Sequence, residues 1–131
     1  MHDRVLVCDD DARVRGLLGR LLAAHGFSVR TADNGEHALD EISRHTPDLL
    51  LLDITMPVMD GVTMLTKLKE NPELKSIPVI MLTAESGREN VAYIAKLGVR
   101  DYMVKPFQDV QLIEKVKRIL ELQPKPAAVA A

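Results

Sequence analysis

Short apolar runs alternate with longer segments of helical periodicity along most of the chain. The runs are residues 5–8, part of 27–32, 49–52, 77–82 and 102–104. The clearest helical stripe consists of Val14, Leu17, Leu18, Leu21 and Leu22, which follow the spacing of one helix face. Strands that are apolar along their length, with helices between them, form a parallel sheet covered on both faces. The pattern therefore predicts an α/β fold with five parallel strands and five helices.

Turn residues mark the ends of the predicted helices. The four remaining helical stripes are Ala38, Leu39 and Ile42; Val62, Leu65 and Leu68; Val91, Ile94 and Ala95; and Ile113, Val116, Ile119 and Leu120. Asn34-Gly35 and Asp60-Gly61 precede the second and third of the five predicted helices. Gly26 and Gly98 follow the first and the fourth, where glycine commonly ends a helix. The boundaries inferred from turns and from periodicity agree.

Composition excludes several classes of protein. The chain has 131 residues, enough for one domain with its own core, and its 17 lysines and arginines nearly balance 19 aspartates and glutamates. No charge excess attracts nucleic acid or a membrane surface, and no apolar run approaches the roughly 20 residues that span a bilayer. The first residues lack a secretory signal, which predicts a cytoplasmic protein. Cys8 is the single cysteine, and its apolar neighbours predict a buried, inert thiol.

The last residues differ from the rest of the chain. Residues 123–131 contain Pro124 and Pro126, followed by a short run of alanine and valine. They show no helical stripe and carry too little apolar bulk to offset the entropy lost on ordering. We therefore expect one domain at residues 1–122 and a flexible tail or linker stub at 123–131.

Polar side chains follow the predicted strands at the points where the strands end. They are Asp9, Asp10 and Asp11 after the first strand, Asp53 after the third, Thr83 after the fourth, and Lys105 and Pro106 after the fifth. In an open parallel sheet the ligand crevice lies beyond the carboxyl ends of the strands. Asp11 is interpreted as the N-cap of the first helix, because aspartate is favoured at that position. The other side chains are candidates for a site.

The charges of these side chains indicate a cation. Carboxylates about 4 Å apart repel by about 4 kcal/mol per pair at an effective dielectric constant near 20. Mg²⁺ compensates such charges well, since it takes one or two carboxylates, keeps water and leaves room for phosphate oxygens. The acids alone are equally compatible with a structural cation site. The hydroxyl of Thr83 and the ammonium of Lys105 favour a site for a phosphoryl group.

Four motifs lie at the ends of predicted strands. They are Val5-Leu6-Val7-Cys8-Asp9-Asp10, residues 53–61 from Asp53 to Gly61, Thr83-Ala84, and Lys105-Pro106-Phe107. Together they resemble the response-regulator receiver family of two-component signalling. The resemblance covers residues 4 to about 122. Within the family, the chain is similar to a single receiver of the chemotaxis-regulator type. The resemblance implies a flavodoxin-like (βα)5 three-layer sandwich whose parallel strands have the order 2-1-3-4-5. The order is implied by the resemblance alone.

The resemblance also implies an acceptor and a metal site. Asp53 is the implied phosphoacceptor, and carboxylates are known to capture transferred groups covalently. Asp10, Asp53 and the main-chain carbonyl of Thr55 are the implied ligands of Mg²⁺. Asp9 holds the ion through water. A receiver of this kind is not an enzyme, but a phosphoacceptor that promotes its own phosphorylation and dephosphorylation.

Further roles are implied for the ends of the fourth and fifth strands. Thr83 and Lys105 bind phosphoryl oxygens, and the Lys105-Pro106 bond is expected to be cis. Thr83 and Tyr102 form the implied switch, in which the tyrosine ring moves inward when Thr83 shifts. Thr55 and Glu85 occupy positions that tune the loss of phosphate in the family.

Partners follow from the same resemblance. The implied phosphodonor is a sensor histidine kinase or a histidine phosphotransfer protein. The downstream protein target docks on the face formed by the fourth helix, fifth strand and fifth helix, the α4-β5-α5 face. The receiver is expected to be a monomer or a weak homodimer that forms through the same face. No nucleic acid or membrane contact is expected of this domain.

Other readings remain to be compared. A phosphorelay shuttle and a truncated receiver of a longer, for example DNA-binding, regulator stay open. A degenerate receiver that only docks partners also stays open. Such a receiver would lack one of the five side chains of the site, whereas this chain has all of them: Asp9, Asp10, Asp53, Thr83 and Lys105. A haloacid-dehalogenase-type phosphatase needs a second aspartate where Thr55 stands. A flavodoxin-like cofactor binder places phosphate after the first strand, where Asp9, Asp10 and Asp11 would repel it.

Overall fold

A computed structural model describes residues 3–54, 56, 58–83, 95–105 and 107–122. The strands are β1 (Arg4–Cys8), β2 (Ser28–Ala32), β3 (Leu49–Asp53), β4 (Val79–Thr83) and β5 (Asp101–Val104). The helices are α1 (Ala12–Ala24), α2 (Gly35–Arg44), α3 (Gly61–Glu70) and a last helix, Asp109–Leu122. The predicted fourth helix lies mainly outside the described residues. Within its described part, residues 95 and 96 are helical.

The five strands form one parallel sheet in the order β2-β1-β3-β4-β5, which confirms the expected order. Cys8 pairs with Ala32 on one side and Leu52 on the other, so β1 ends level with both neighbours. Asp53 is in register with Leu82, and Thr83 is in register with Val104. The carboxyl ends of the five strands are therefore brought to one edge.

Each face of the sheet carries its own apolar core, because successive side chains of a strand point to opposite faces. On one face α2 and α3 cover the sheet through Ala38, Ile42, Met64, Leu65 and Leu68. On the other face α1 and the last helix contribute Leu18, Leu22, Leu112, Ile113, Val116, Ile119 and Leu120. Every residue of β3 and β4 is buried. This is the predicted three-layer arrangement.

The predicted second strand is confirmed, and one detail of the first helix was wrong. The edge strand β2 is mostly exposed, because a strand paired on one side only needs less apolar covering than a central one. Leu17 was assigned to the buried face of α1, yet it is 50% exposed. Leu18 and Leu22 define the direction that faces the sheet, and Leu17 points well away from it.

The helix starts were predicted well because their caps are local. The Asp11 carboxylate accepts a hydrogen bond from the Arg13 amide at 2.8 Å, which confirms Asp11 as the N-cap of α1. Asp60 caps α3 in the same way, accepting from the Thr63 amide at 2.7 Å. Gly98 has a φ of 77°, a conformation that favours glycine.

Gly61 lies directly behind the end of β3. Its amide donates to the Ile54 carbonyl at 2.8 Å. A β-carbon at position 61 would lie 2.2 Å from the carbonyl oxygen of Asp53. The close approach of α3 to the end of β3 therefore requires a residue without a side chain.

We expect Gly61→Ala to lower the free energy of unfolding by about 2 to 3 kcal/mol, because the methyl group overlaps main-chain atoms that belong to β3. Urea denaturation followed by circular dichroism measures this change.

Gly19→Ala is the matched control, since position 19 lies within α1 and has nothing within 4 Å of an added β-carbon. Alanine there should raise the free energy of unfolding by about 0.5 to 1 kcal/mol. Equal effects of the two substitutions would contradict the close approach.

Candidate functional site

Three carboxylates converge at the carboxyl edge of the sheet. Asp9 and Asp10 follow β1, and Asp53 is the last residue of β3, the strand beside it. One ligand atom from each of the three lies within 4.8 Å of the others. Asp9 and Asp53 are buried, whereas Asp10 is exposed. Three oxygen donors at this spacing suit a hard divalent ion.

Asp9 is fixed by contacts on several sides. Its amide donates to the Ala32 carbonyl at 3.1 Å. One carboxylate oxygen accepts from the Asp11 amide at 2.9 Å, and the other accepts from Nζ of Lys105 at 2.6 Å. Because the side chain of Asp9 is 0% exposed, Lys105 supplies the charge that makes this burial tolerable.

Lys105 joins the two buried acids. Its Nζ lies 3.5 Å from Oδ2 of Asp53, in addition to its contact with Asp9. Burial alone would lower the pKa of Lys105, but the hydrogen bond to Asp9 and the charges of Asp53 and Asp9 outweigh it and raise the pKa. The ammonium therefore stays charged. One lysine faces three acids, so the cluster keeps a negative excess.

Thr83 completes the edge at the end of β4 and is 5% exposed. The main-chain amide of Lys105 donates to the Thr83 carbonyl at 2.6 Å, which ties the end of β5 to the end of β4. The predicted strand-end residues Asp9, Asp10, Asp53, Thr83 and Lys105 are thus all found at this edge.

Comparison with known proteins bears on this arrangement. A family model described as the response regulator receiver domain matches residues 5–117, most of the chain. The chain belongs to the response regulator receiver family. Phosphorylation on aspartate is characteristic of receivers in two-component systems.

Curated relatives of this receiver include proteins longer than the chain. It is 42% identical over 120 residues to the response regulator PleD of Caulobacter vibrioides, covering 91% of this chain and 26% of PleD. It is 41% identical over 117 residues to the transcriptional regulatory protein PrrA of Mycobacterium tuberculosis, covering 89% and 49%. For the chemotaxis protein CheY-3 of Vibrio cholerae the identity is 37% over 119 residues, covering 90% and 92%. The chain thus spans at most about half of PleD and PrrA.

Solved structures agree with the family. A putative response regulator from Chloroflexus aurantiacus superposes with a TM-score of 0.87 at 35% identity, covering 92% of this chain and 99% of that one. A receiver domain of a histidine kinase from Syntrophus aciditrophicus gives 0.85 at 32% identity, covering 95% and 96%. The predicted flavodoxin-like fold is confirmed.

Several expectations fall on residues outside the described part of the receiver. Thr55 and Glu85 lie there, and so does Pro106, so the carbonyl ligand and the cis bond stay predictions. The tail at 123–131 also lies outside it. Tyr102 is described and is partly buried against the core that α2 and α3 cover. Among the helices of the described ranges, none has the length and apolar character to cross a bilayer.

Arg15 is a site neighbour that sequence reasoning missed. It lies on α1, and its Nη1 donates to the main-chain carbonyl of Asp9 at 2.7 Å. A contact between a helix side chain and a strand-end carbonyl leaves no periodic signal, so the sequence alone gave no indication of it.

Cys8 lies immediately before the acids and is buried, as predicted. Its thiol donates to the Asn34 carbonyl at 3.4 Å and contacts Sδ of Met56 at 3.3 Å. Burial, followed by the charges of Asp9 and Asp53, raises the pKa of Cys8 to about 12.

We expect the folded receiver to react with a disulfide reagent about a thousandfold more slowly than the urea-unfolded chain at about pH 8, because burial and the raised pKa suppress the thiolate. Absorbance of the released thiolate measures both rates. Equal rates in folded and unfolded protein would contradict a buried thiol.

Proposed function

We propose that this receiver takes a phosphoryl group onto Asp53 from a sensor histidine kinase or a histidine phosphotransfer protein, with Mg²⁺ as the cofactor. The observation that carries the proposal is the convergence of three carboxylates and one ammonium at the carboxyl edge of the sheet. A degenerate receiver that only docks partners would not need this set of groups.

The donor set fits Mg²⁺. All three side chains offer carboxylate oxygens, and exposed Asp10 gives the cluster an open side toward solvent. Asp10 and Asp53 would hold the ion together with the main-chain carbonyl of Thr55, and Asp9 would act through water. When bound, Mg²⁺ offsets negative charge on the acids and on the oxygens of the transferred group.

The transfer itself needs little covalent chemistry from the protein. An oxygen of Asp53 forms a bond to phosphorus as the bond between phosphorus and the donor histidine nitrogen breaks. That nitrogen keeps the electron pair of the broken bond and takes up a proton from water, so the donor leaves as a neutral imidazole. Lys105 already lies 3.5 Å from Asp53, so its ammonium can pair with phosphoryl oxygens without a large movement. The Thr83 hydroxyl would donate to another of these oxygens.

Phosphorylation would then act as a switch. A shift of Thr83 toward the phosphoryl group would let the ring of Tyr102 move inward. The two residues lie on neighbouring strands, Thr83 at the end of β4 and Tyr102 on β5. The surface altered would be the α4-β5-α5 face, where the last helix, Asp109–Leu122, is the fifth helix of the prediction. A downstream protein, or a second receiver in a weak homodimer, would bind one state better than the other.

The setting of this receiver is part of the proposal. We infer a receiver at residues 1–122, followed by a tail or linker stub at 123–131, in the cytoplasm. CheY-3 favours a stand-alone receiver, because the chain covers 92% of it. PleD and PrrA favour the receiver of a longer regulator, because the chain covers 26% and 49% of them. A phosphorelay shuttle is the third setting.

Intact-mass spectrometry after incubation with acetyl phosphate and Mg²⁺ tests the proposal. We expect the mass to increase by one phosphoryl group, and omission of Mg²⁺ should prevent the increase. A folded receiver that gains no mass under these conditions would contradict it.

The setting has a separate test. Incubation with a phosphorylated histidine phosphotransfer protein should move the label in both directions for a relay shuttle. One-way transfer followed by hydrolysis would instead indicate a terminal regulator.

A further inference from the structure

Asp10 lies in the loop between β1 and α1, and its side chain is exposed. The main-chain amides on either side of Asp10 form hydrogen bonds. The Asp9 amide donates to the Ala32 carbonyl at 3.1 Å, and the Asp11 amide donates to the Asp9 carboxylate at 2.9 Å. Within the described residues the Asp10 carboxylate itself has neither a hydrogen bond nor an ion pair. Its position therefore depends on the main chain that carries it.

Arg15 holds the main-chain group next to Asp10. Its Nη1 donates at 2.7 Å to the carbonyl of Asp9, which belongs to the peptide group joining Asp9 and Asp10. The amide of Arg15 donates at 3.0 Å to the Asp11 carbonyl in the first turn of α1. One residue therefore fastens both ends of the loop to the helix. A rigid, planar guanidinium is well suited to fix the orientation of a carbonyl.

Rotation of the peptide group between Asp9 and Asp10 would change the direction in which the Asp10 side chain leaves the main chain. In the structure, one carboxylate oxygen of Asp10 lies within 4.8 Å of ligand atoms of Asp9 and Asp53, and this spacing depends on that direction. Arg15 is half-buried, and its hydrogen bond to the Asp9 carbonyl is partly buried. By contrast, Arg13 occupies the same first turns of α1 but is exposed.

We infer that Arg15 is a positioning residue, which holds the peptide group between Asp9 and Asp10 so that Asp10 is available as a ligand of a divalent cation. The inference rests on the metal site of the proposed function. It assigns to Arg15 an effect on cation affinity that acts through Asp10 and not through the net charge of the helix.

Calorimetric titration of the unphosphorylated receiver with Mg²⁺ tests the inference without reference to phosphorylation. We expect Arg15→Met to weaken Mg²⁺ binding about tenfold to a hundredfold, as is typical when a group that orients a metal ligand is removed. Arg15→Lys keeps the charge but not the planar fork, and it should recover only part of the affinity.

Arg13→Met is the matched control, because it removes the same charge from the same end of α1. It should change the affinity by less than about threefold. Removal of a positive charge by itself favours Mg²⁺, so a charge effect cannot produce a loss of affinity. Equal losses in Arg13→Met and Arg15→Met would overturn the inference in favour of a general effect on α1.

A double variant separates Arg15 from the rest of the site. If Arg15 acts through Asp10, then Arg15→Met should have almost no further effect in an Asp10→Asn background. Independent losses from the two substitutions would overturn the inference. Absence of Mg²⁺ binding by the wild-type receiver would instead remove the proposed metal site itself, so the two failures are distinguishable.

Discussion

Asp53→Asn is expected to abolish the incorporation of a phosphoryl group from acetyl phosphate. The amide nitrogen and oxygen of asparagine are poor nucleophiles, whereas an ionised carboxylate can form a bond to phosphorus. Asparagine has nearly the shape of aspartate, so the buried end of β3 should keep its packing. Intact-mass spectrometry of the variant and the wild type, in the same Mg²⁺ buffer, measures the difference.

Asp40→Asn is the control for this substitution. Asp40 lies on α2 at the surface, where its carboxylate pairs with Arg44 at 2.6 Å. That variant should be labelled like the wild type. Equal labelling of Asp53→Asn and the wild type, or fragment masses that locate the group on another residue, would refute Asp53 as the acceptor.

Lys105→Met is expected to lower the free energy of unfolding by about 2 to 3 kcal/mol in the absence of divalent ions. Its Nζ lies 2.6 Å from a carboxylate oxygen of Asp9, whose side chain is 0% exposed. Removing one partner of a buried pair leaves an uncompensated charge, which typically costs about 3 to 5 kcal/mol. Lys105 is itself 23% exposed, so water offsets part of that cost. Urea denaturation in chelator measures the loss.

Lys115→Met is the matched control, because Lys115 forms an ion pair of nearly the same length, 2.7 Å to Asp101, with both side chains 26% exposed. Such a pair contributes at most about 1 kcal/mol. The double variant Asp9→Asn/Lys105→Met should recover part of the stability, since Asp9 no longer carries a buried charge, although Asp53 has still lost its contact with Lys105. Equal losses in Lys105→Met and Lys115→Met would contradict the account of the buried pair.

The central strands and the helix caps could be predicted from sequence because the signals are local. Leu49 to Leu52 is continuously apolar, and β3 is buried at every residue. Asp11 and Asp60 cap helices through contacts two or three residues away. The edge strand β2 gives a weaker signal, since a half-covered strand need not be apolar. The strand order came from the family resemblance, because periodicity does not specify which strands are neighbours.

The candidate site was predictable to the extent that the topology creates it. Parallel strands bring their carboxyl ends together, so Asp9, Asp53 and Lys105 could be placed at one edge before any distance was known. Distances of 2.6 Å and 3.5 Å from Lys105 to the two acids required the folded structure. Gly61 looked like an ordinary turn residue, and its close approach to the Asp53 carbonyl depends on how α3 packs against β3.

Charge compensation links the fold to the proposed function. Lys105 neutralises part of the negative charge of Asp9, Asp10 and Asp53, but one ammonium does not balance three carboxylates. The remaining negative charge favours a divalent ion. The positive charges of Lys105 and of the divalent ion are then available to a phosphoryl group once Asp53 has accepted it.

Titration of the isotope-labelled receiver with Mg²⁺, followed by amide NMR, tests this claim most directly. We predict saturable binding of one ion, with the largest shifts at Asp9, Asp10 and Asp53, and loss of that binding in Asp10→Asn. Amide spectra that stay unchanged at these residues as Mg²⁺ is added, while the fold remains intact, would contradict the account.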